Sequence, residues 1–248
     1  MADRTSKQTG VITADIERLE PSLRAIPFLR LAGADSEPIE LLSSSQRREI
    51  MRRAHHRDLS ARAIVYSAGD PGDGVFIIAS GVVKSFRDLP SGRRRIAAFM
   101  FARDLFGLAV NGRYVNTVQA ITPVSLYQIG LIALTDLFQA DADLELPFLC
   151  KAVHVLREAQ HHNIIIARHD AVGRLAMVLH LLEKENGRTH GEISIPMTRS
   201  DLANYLGLSL EAVVRASRRL ERQGIVQFSR HQAQILDRRR FDALVSNI

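Results

Sequence analysis

TRSDLANYLGLSLEAVVRASRR, residues 198–219, decides how the rest of the chain is read. Thr198-Arg199-Ser200-Asp201 has the form of a capping box, in which a threonine caps a helix and an acid three residues on reaches back to it. Leu202, Ala203 and Leu206 supply an apolar inner face. Gly207 stops the helix, because glycine enters the left-handed C-cap without steric cost. Ser209 can then cap a second helix. In that helix Val213, Ser217 and Leu220 point inward. Glu211, Val214, Arg215 and Arg218 recur at i, i+3, i+4 and i+7 and share the outward face. Two short helices across a glycine turn, the second with a polar outer face, form the arrangement that lays a recognition helix in the DNA major groove.

The residue types on that face fit the reading. An arginine such as Arg215 can donate two hydrogen bonds to guanine, a glutamate such as Glu211 can accept from cytosine N4, and Val214 can touch a thymine methyl. Thr198, Arg199, Ser200, Ser209, Arg218, Arg219 and Arg222 are placed to meet phosphates, the part of binding that carries no sequence information. After Gly224, the runs Ile225–Phe228 and Ala233–Leu236 flank Ser229-Arg230-His231. This predicts a β-hairpin wing with a basic tip, which adds Ser229 and Arg230 to the backbone contacts.

Working upstream, a short strand is predicted at Ile193–Ile195. Asp170 caps a helix that carries Leu175, Val178, Leu179 and Leu182 on one face and stops near Asn186-Gly187. Residues Leu144 to Arg168 read as one helix of roughly 36 Å at ~1.5 Å rise per residue. Within it Leu149, Ala152, Leu156, Ala159, Asn163 and Ile166 keep alternating spacings of three and four, a heptad seam suited to a second copy of the chain. Asn163 suits a register-setting position. The same stripe could instead pack on the chain's own β domain. From Leu59 to about Ile132 short β-prone runs alternate with glycine turns, which predicts a β barrel or sandwich. Ser91-Gly92 marks a hairpin within it. Leu41–Arg53 reads as a helix, and His55–Arg57 as a basic stretch. Residues 1–40 form an extension in which Ile16, Leu19, Leu23 and Ile26 have helical spacing ahead of Pro27.

The chain has 248 residues, a length that suggests two domains, with a net charge of +6 and a sequence pI of about 10. The excess of positive charge from Ala171 onward favours an acidic polymer as partner. The chain carries a single cysteine, Cys150. It reads as a small buried hydrophobe beside Phe148 and Leu149, with a redox-sensing thiol as the alternative. One cysteine excludes an intrachain disulfide and a cysteine-ligated cluster. No apolar run reaches the ~18–20 residues of a membrane span, and the polar start lacks a signal core. These features place the protein in the cytoplasm, off the membrane.

The stretch Met197 to Arg215 and its continuation Leu220-Glu221-Arg222-Gln223-Gly224-Ile225 resemble the family of the cyclic-AMP receptor protein and FNR, most closely its FixK-like branch. Asp104-Leu105-Phe106-Gly107 and Thr117-Val118-Gln119-Ala120-Ile121-Thr122-Pro123 resemble the family's β-roll. The likeness spans Leu41 to Ala243. It implies an α+β fold: a cyclic-nucleotide-binding-type β-roll sensor at 41–143, a dimerisation helix at 144–169 and a winged helix-turn-helix at 170–248, after the extension at 1–40. It implies a bacterial homodimer on a palindromic operator of TTGA or TGA type, with Glu211 and Arg215 reading TGA, and RNA polymerase as a further partner. FNR and FixK-like members often show Glu-x-x-Ser-Arg here. Val214 replaces that serine and puts the outer base in question.

The resemblance also locates a departure. Cyclic-AMP-binding members carry a glutamate just after the glycine of the phosphate segment and an arginine before a Ser/Thr. Here those positions are Leu108 and Asn116, with Arg113 the only nearby cation. A buried phosphate without a cationic partner is disfavoured, so no cyclic-AMP binding is expected. His154, His161, His162 and His169 fall on or beside the long helix, and His55-His56 lie upstream. Solvated or interface histidines are the commoner reading than haem or metal ligands. No cofactor or metal is expected.

Three functional classes compete. No Walker loop, Gly-x-Ser-x-Gly, metal-spaced His/Glu set or paired carboxylates support an enzyme. A cyclic-nucleotide, haem or redox-responsive module acting on a protein partner leaves the wing and basic end unexplained. A sequence-specific transcription regulator accounts for both.

Overall fold

A computed structural model describes residues 20–25, 38–168, 170–185 and 191–246. The chain forms two compact units. One comprises the residues up to Val83 together with Met100–Leu156; the other comprises Lys84–Phe99 together with Arg157 onward.

The first unit is β-rich. Short strands β1 (Arg24–Ala25) and β2 (Ile39–Glu40) pair antiparallel. Helix α1 (Ser44–Arg53) follows, opened by a capping box between Ser43 and Gln46. Strands β3 (His55–Leu59), β10 (Val124–Gly130), β5 (Gly74–Ser80) and β8 (Leu105–Phe106) lie side by side in that order, all antiparallel. Strand β4 (Ile64–Tyr66) pairs with β9 (Thr117–Ala120). The glycine punctuation sets these short lengths. Gly107, for instance, sits at φ 93°, and a Cβ there would lie 2.7 Å from the Phe76 ring, so only glycine lets the two strands close on that ring.

The roll is filled by two apolar clusters, one of which gathers Phe76, Phe106 and Tyr114 with Tyr66 packed against it. Tyr66 stacks on Tyr114 at 3.8 Å between centroids and Phe76 on Phe106 at 5.1 Å. Burial drives the Tyr66 hydroxyl well above the usual phenol range, so it stays protonated. Helix α2 (Leu131–Ala140) and a 3₁₀ turn (Ala142–Leu144) lead to the long helix α3 (Glu145–Arg168). Lys151, almost fully buried on α3, donates from Nζ to the Asp104 carboxylate and to the Arg24 carbonyl, each at 2.7 Å. Cys150 beside it is buried. Leu149 is 52% exposed and Leu156 57%, with Leu146, Val155 and Ile164 also exposed.

The second unit holds α4 (Ala171–Glu185), β11 (Glu192–Ser194), α5 (Arg199–Leu206), α6 (Leu210–Arg222), β12 (Val226–Phe228), β13 (Gln232–Ile235) and α7 (Arg238–Val245). Asp170 caps α4, its carboxylate accepting from the Gly173 amide at 2.8 Å. The three strands form an antiparallel sheet in the order β11-β13-β12. The unit also contains strands β6 (Val83–Asp88) and β7 (Arg94–Met100), apart from their end residues Val83 and Met100. They form a hairpin closed by Leu89 and Gly92.

Near the N-terminus the sequence reading is corrected. Helical spacing over Ile16 to Ile26 predicted a helix, but Arg24–Ala25 are extended and paired with Ile39–Glu40, and Leu23 is fully buried. Strand pairing and core burial outweigh a periodicity of only a few residues. Ile16, Leu19 and Ile26 lie outside the described residues, as do His169 and the expected stop at Asn186-Gly187. The helix expected from Leu41 begins at Ser44, because Ser43 takes the N-cap.

Candidate nucleic-acid interface

Each element of the helix-turn-helix is locally built as its residues dictate. Thr198 caps α5, accepting from the Asp201 amide at 3.0 Å, while the Asp201 carboxylate accepts from the Thr198 amide at 3.2 Å and its hydroxyl at 2.8 Å. Gly207 closes the helix in the left-handed region at φ 65°. Ser209 caps α6 by accepting from the Ala212 amide. Val213, Ala216, Ser217 and Leu220 are buried. The opposite face presents Glu211, Arg215 and Arg218 to solvent, with Val214 half-buried among them. Arg219 and Arg222 continue the exposed basic face, and Arg199 and Ser200 stand exposed at the start of α5.

Glu211 is held below the ordinary carboxylate range by its own backbone amide, then by the Ser209 hydroxyl and the Arg215 charge one turn on. This face therefore presents an ionised carboxylate and a guanidinium, an acceptor beside a forked donor. The wing is present: β12 and β13 pair through Val226↔Ile235 and Phe228↔Ala233, and Ser229, Arg230 and His231 are exposed at its tip. The free hydroxyls differ from what the residue types alone suggest. Thr198 and Ser209 are engaged in capping, while Arg199, Ser200, Arg218, Arg219, Arg222 and Arg230 are exposed.

Three side chains that sequence reasoning did not connect to this region pack on α5. Lys84 of the β6–β7 hairpin donates to Asp201 at 2.6 Å. Burial would raise the Asp201 carboxyl, but the bonds from Lys84 and Thr198 outweigh it and hold it low, so it is ionised. Phe99 meets the Tyr205 ring at 4.8 Å, and His162 of α3 stacks on the same ring at 3.9 Å. Burial first, then the Arg95 charge, pull His162 down to about 4, so it is neutral near pH 7. The available signal was the run Gly92-Arg93-Arg94-Arg95, whose charge has no role in a β-roll core.

In the roll, the residues at the family's phosphate-binding positions do not fit a cyclic phosphate. Leu108 is 62% exposed and offers no hydrogen-bonding group, and Asn116 supplies no cation. The Arg113 guanidinium donates to the Gly69 carbonyl at 2.6 Å. Among the described residues no group of His, Cys, Asp or Glu is placed to hold a metal, and no helix is long and apolar enough to cross a membrane.

Comparison with known proteins agrees with this geometry. Residues 56–141 match the cyclic nucleotide-binding domain family and residues 173–244 the Crp-like helix-turn-helix domain family. The chain is 27% identical to the transcriptional activatory protein AadR of Rhodopseudomonas palustris, over 83% of this chain and 87% of AadR. It is also 27% identical to the nitrogen fixation regulation protein FixK of Bradyrhizobium diazoefficiens, over 83% and 88%. The structure of FixK2 from Bradyrhizobium japonicum superposes with a TM-score of 0.71 at 28% identity, covering 79% of this chain and 98% of FixK2. With both domains matched in order and the reading helix intact, the chain belongs to the Crp–Fnr family of helix-turn-helix transcription regulators.

Proposed function

We propose that the protein acts as a homodimer that binds a palindromic operator with TTGA- or TGA-like half-sites and does so without cyclic AMP. The observation that carries this reading is the outer face of α6, where Glu211, Val214, Arg215 and Arg218 stand together, with an ionised carboxylate one turn from a guanidinium. Glu211 and Arg215 read bases, Val214 sets the outer position of the half-site, and the exposed arginines of α5, α6 and the wing hold phosphates. The division into a sensor at 41–143, a dimerisation helix at 144–169 and a DNA-binding domain at 170–248 belongs to the same proposal.

Dimerisation is supported by the outward apolar stripe of α3. Leu149 and Leu156 are exposed at two of its six heptad positions, with Ala152, Ala159, Asn163 and Ile166 completing the seam. A largely apolar stripe of this kind is stabilised by a matching helix. Independence from cyclic AMP is supported by Leu108, Asn116 and the engaged Arg113. A cytoplasmic location, no cofactor and no catalytic activity accompany the reading. Similarity to AadR, a transcriptional activatory protein, makes RNA polymerase the expected second partner.

The deciding experiment is selection of bound duplexes from a random library by the purified full chain, followed by gel shifts with the selected sequence. An inverted repeat bound by two chains per duplex, with affinity collapsing in Arg215→Ala, supports the reading. Enrichment of no sequence, or an Arg215→Ala variant that binds the selected duplex as well as wild type, sinks it.

A further inference from the structure

The β6–β7 hairpin lies, in sequence, inside the segment that matches the cyclic nucleotide-binding family, yet Lys84–Phe99 belongs to the compact unit of the helix-turn-helix. Its charge is extreme. Lys84, Arg87, Arg93, Arg94 and Arg95 face a single acid, Asp88, a net +4 in a protein of net +6. Self-repulsion among so many cations on one short hairpin is costly unless an anionic partner relieves it.

The cations divide by geometry. Lys84 is spent on Asp201, the carboxylate of the α5 capping box. Arg94 pairs with Asp88 at 2.7 Å and covers the Phe86 ring at 3.8 Å. Arg95 reaches the turn between α5 and α6, where a Cβ on Gly207 would lie 2.5 Å from its Nη1. Arg87 and Arg93 remain exposed, and no ion pair holds either of them among the described residues. Arg93 stands one residue before β7, at the turn of the hairpin, where its carbonyl accepts from the Leu89 amide at 2.8 Å. It lies two residues beyond Arg95 toward the hairpin tip, about 6–7 Å at extended spacing. The turn at Gly207 leads directly into Ser209 and the N-terminus of α6, the end of a recognition helix that meets DNA. The hairpin thus extends the basic surface of the reading unit, and it leaves Glu211 and Arg215 exposed.

We propose that this hairpin is a second, sequence-independent DNA-contact element, in which Arg87 and Arg93 neutralise backbone phosphates beside the half-site and the Lys84–Asp201 pair fixes the hairpin to α5. The proposal rests on the DNA-binding reading above. Phosphate contacts act on any sequence and reveal themselves in the salt dependence, so the test does not require knowledge of the operator.

The test measures binding of the full chain to a 40-bp random-sequence duplex between about 50 and 200 mM KCl, for wild type, Arg87→Gln/Arg93→Gln, Arg87→Lys/Arg93→Lys and Arg48→Gln/Arg52→Gln. The last pair removes the same charge from α1, in the other compact unit. The expected result is weaker binding by the hairpin glutamine pair and a log–log salt slope shallower by about 1 for each arginine per protomer. The lysine pair restores the slope, and the α1 pair leaves it as in wild type. An unchanged or steeper slope in the hairpin glutamine pair overturns the proposal while leaving the DNA-binding reading intact. So does equal loss in the α1 pair, because the effect is then one of net charge alone. A wild-type chain that binds no duplex at all overturns the DNA-binding reading, and the hairpin proposal falls with it.

Discussion

The outer face of α6 and the Gly107–Thr117 segment of the roll are both surfaces carried on a buried scaffold, and their chemistry differs. On α6 the charged pair Glu211 and Arg215 stands one turn apart, exposed on a helix whose caps and buried face are complete. The roll segment carries no such pair. Leu108 is exposed, Asn116 carries no charge, and the Arg113 guanidinium donates to the Gly69 carbonyl. The fold persists in both regions because each is held from below, by Val213, Ala216 and Leu220 under α6 and by Phe76, Phe106 and Tyr114 under the roll. A scaffold secured by burial keeps its shape when its surface chemistry changes.

The largest effect expected from testing this contrast is on the roll's support. Phe76→Ala should cost about 3–5 kcal/mol of stability, since a fully buried ring stacked on Phe106 is replaced by a cavity. Denaturant titration of the variant measures it. A loss under 1 kcal/mol would show that the aromatic cluster is not what holds the roll.

Next comes Arg215→Ala, expected to weaken specific binding by roughly 1–3 kcal/mol for each half-site and to relax preference at one base position. Fluorescence anisotropy on the selected duplex and its point variants reads both quantities. Uniform weakening across all variants would move Arg215 from the base-reading to the phosphate-holding side of the comparison.

A smaller effect concerns His162. Its folded value of about 4 lies below the ordinary 6.5, so the unfolded chain takes up a proton first as pH falls. Its contribution to stability is therefore complete above about pH 6.5, is lost progressively between 6.5 and 4, and levels off below. At the slope of ~1.4 kcal/mol per unit this amounts to about 1–3 kcal/mol. His162→Gln should flatten the stability profile in that window, as followed by urea midpoints at half-unit steps.

The smallest expected effect is none. A bound ligand raises stability as its concentration exceeds its dissociation constant, so cyclic AMP at millimolar concentration should leave the melting temperature unmoved. A rise of several degrees would reverse the reading of Leu108 and Asn116.

Legibility followed the range of the interactions. The caps at Thr198 and Ser209, the glycine stop at Gly207 and the two faces of α6 depend on residues three or four apart, and all could be read from the chain. The roll's strands were legible for the same reason, through turns and short β-prone runs. The small β1–β2 pair was missed because its partners are fourteen or more residues apart, and the helical spacing upstream offered a competing local pattern. The hairpin's attachment to α5 was missed on similar grounds. Lys84 and Asp201 are 117 residues apart, and nothing local announces their meeting.

The sequence by itself determined the helix-turn-helix, the outward face of its second helix, the long helix with its apolar stripe, and the presence of Leu108 and Asn116 in the roll. These are statements about residue identity and short-range periodicity, which the chain states directly. Only the tertiary structure decided where the excess charge goes. It set the Lys84–Phe99 hairpin with the DNA-binding unit, spent Lys84 on the α5 cap, and left Arg87 and Arg93 exposed. Long-range packing and the pairing of buried charges make that choice, and both depend on which side chains the folded backbone brings within a few ångströms.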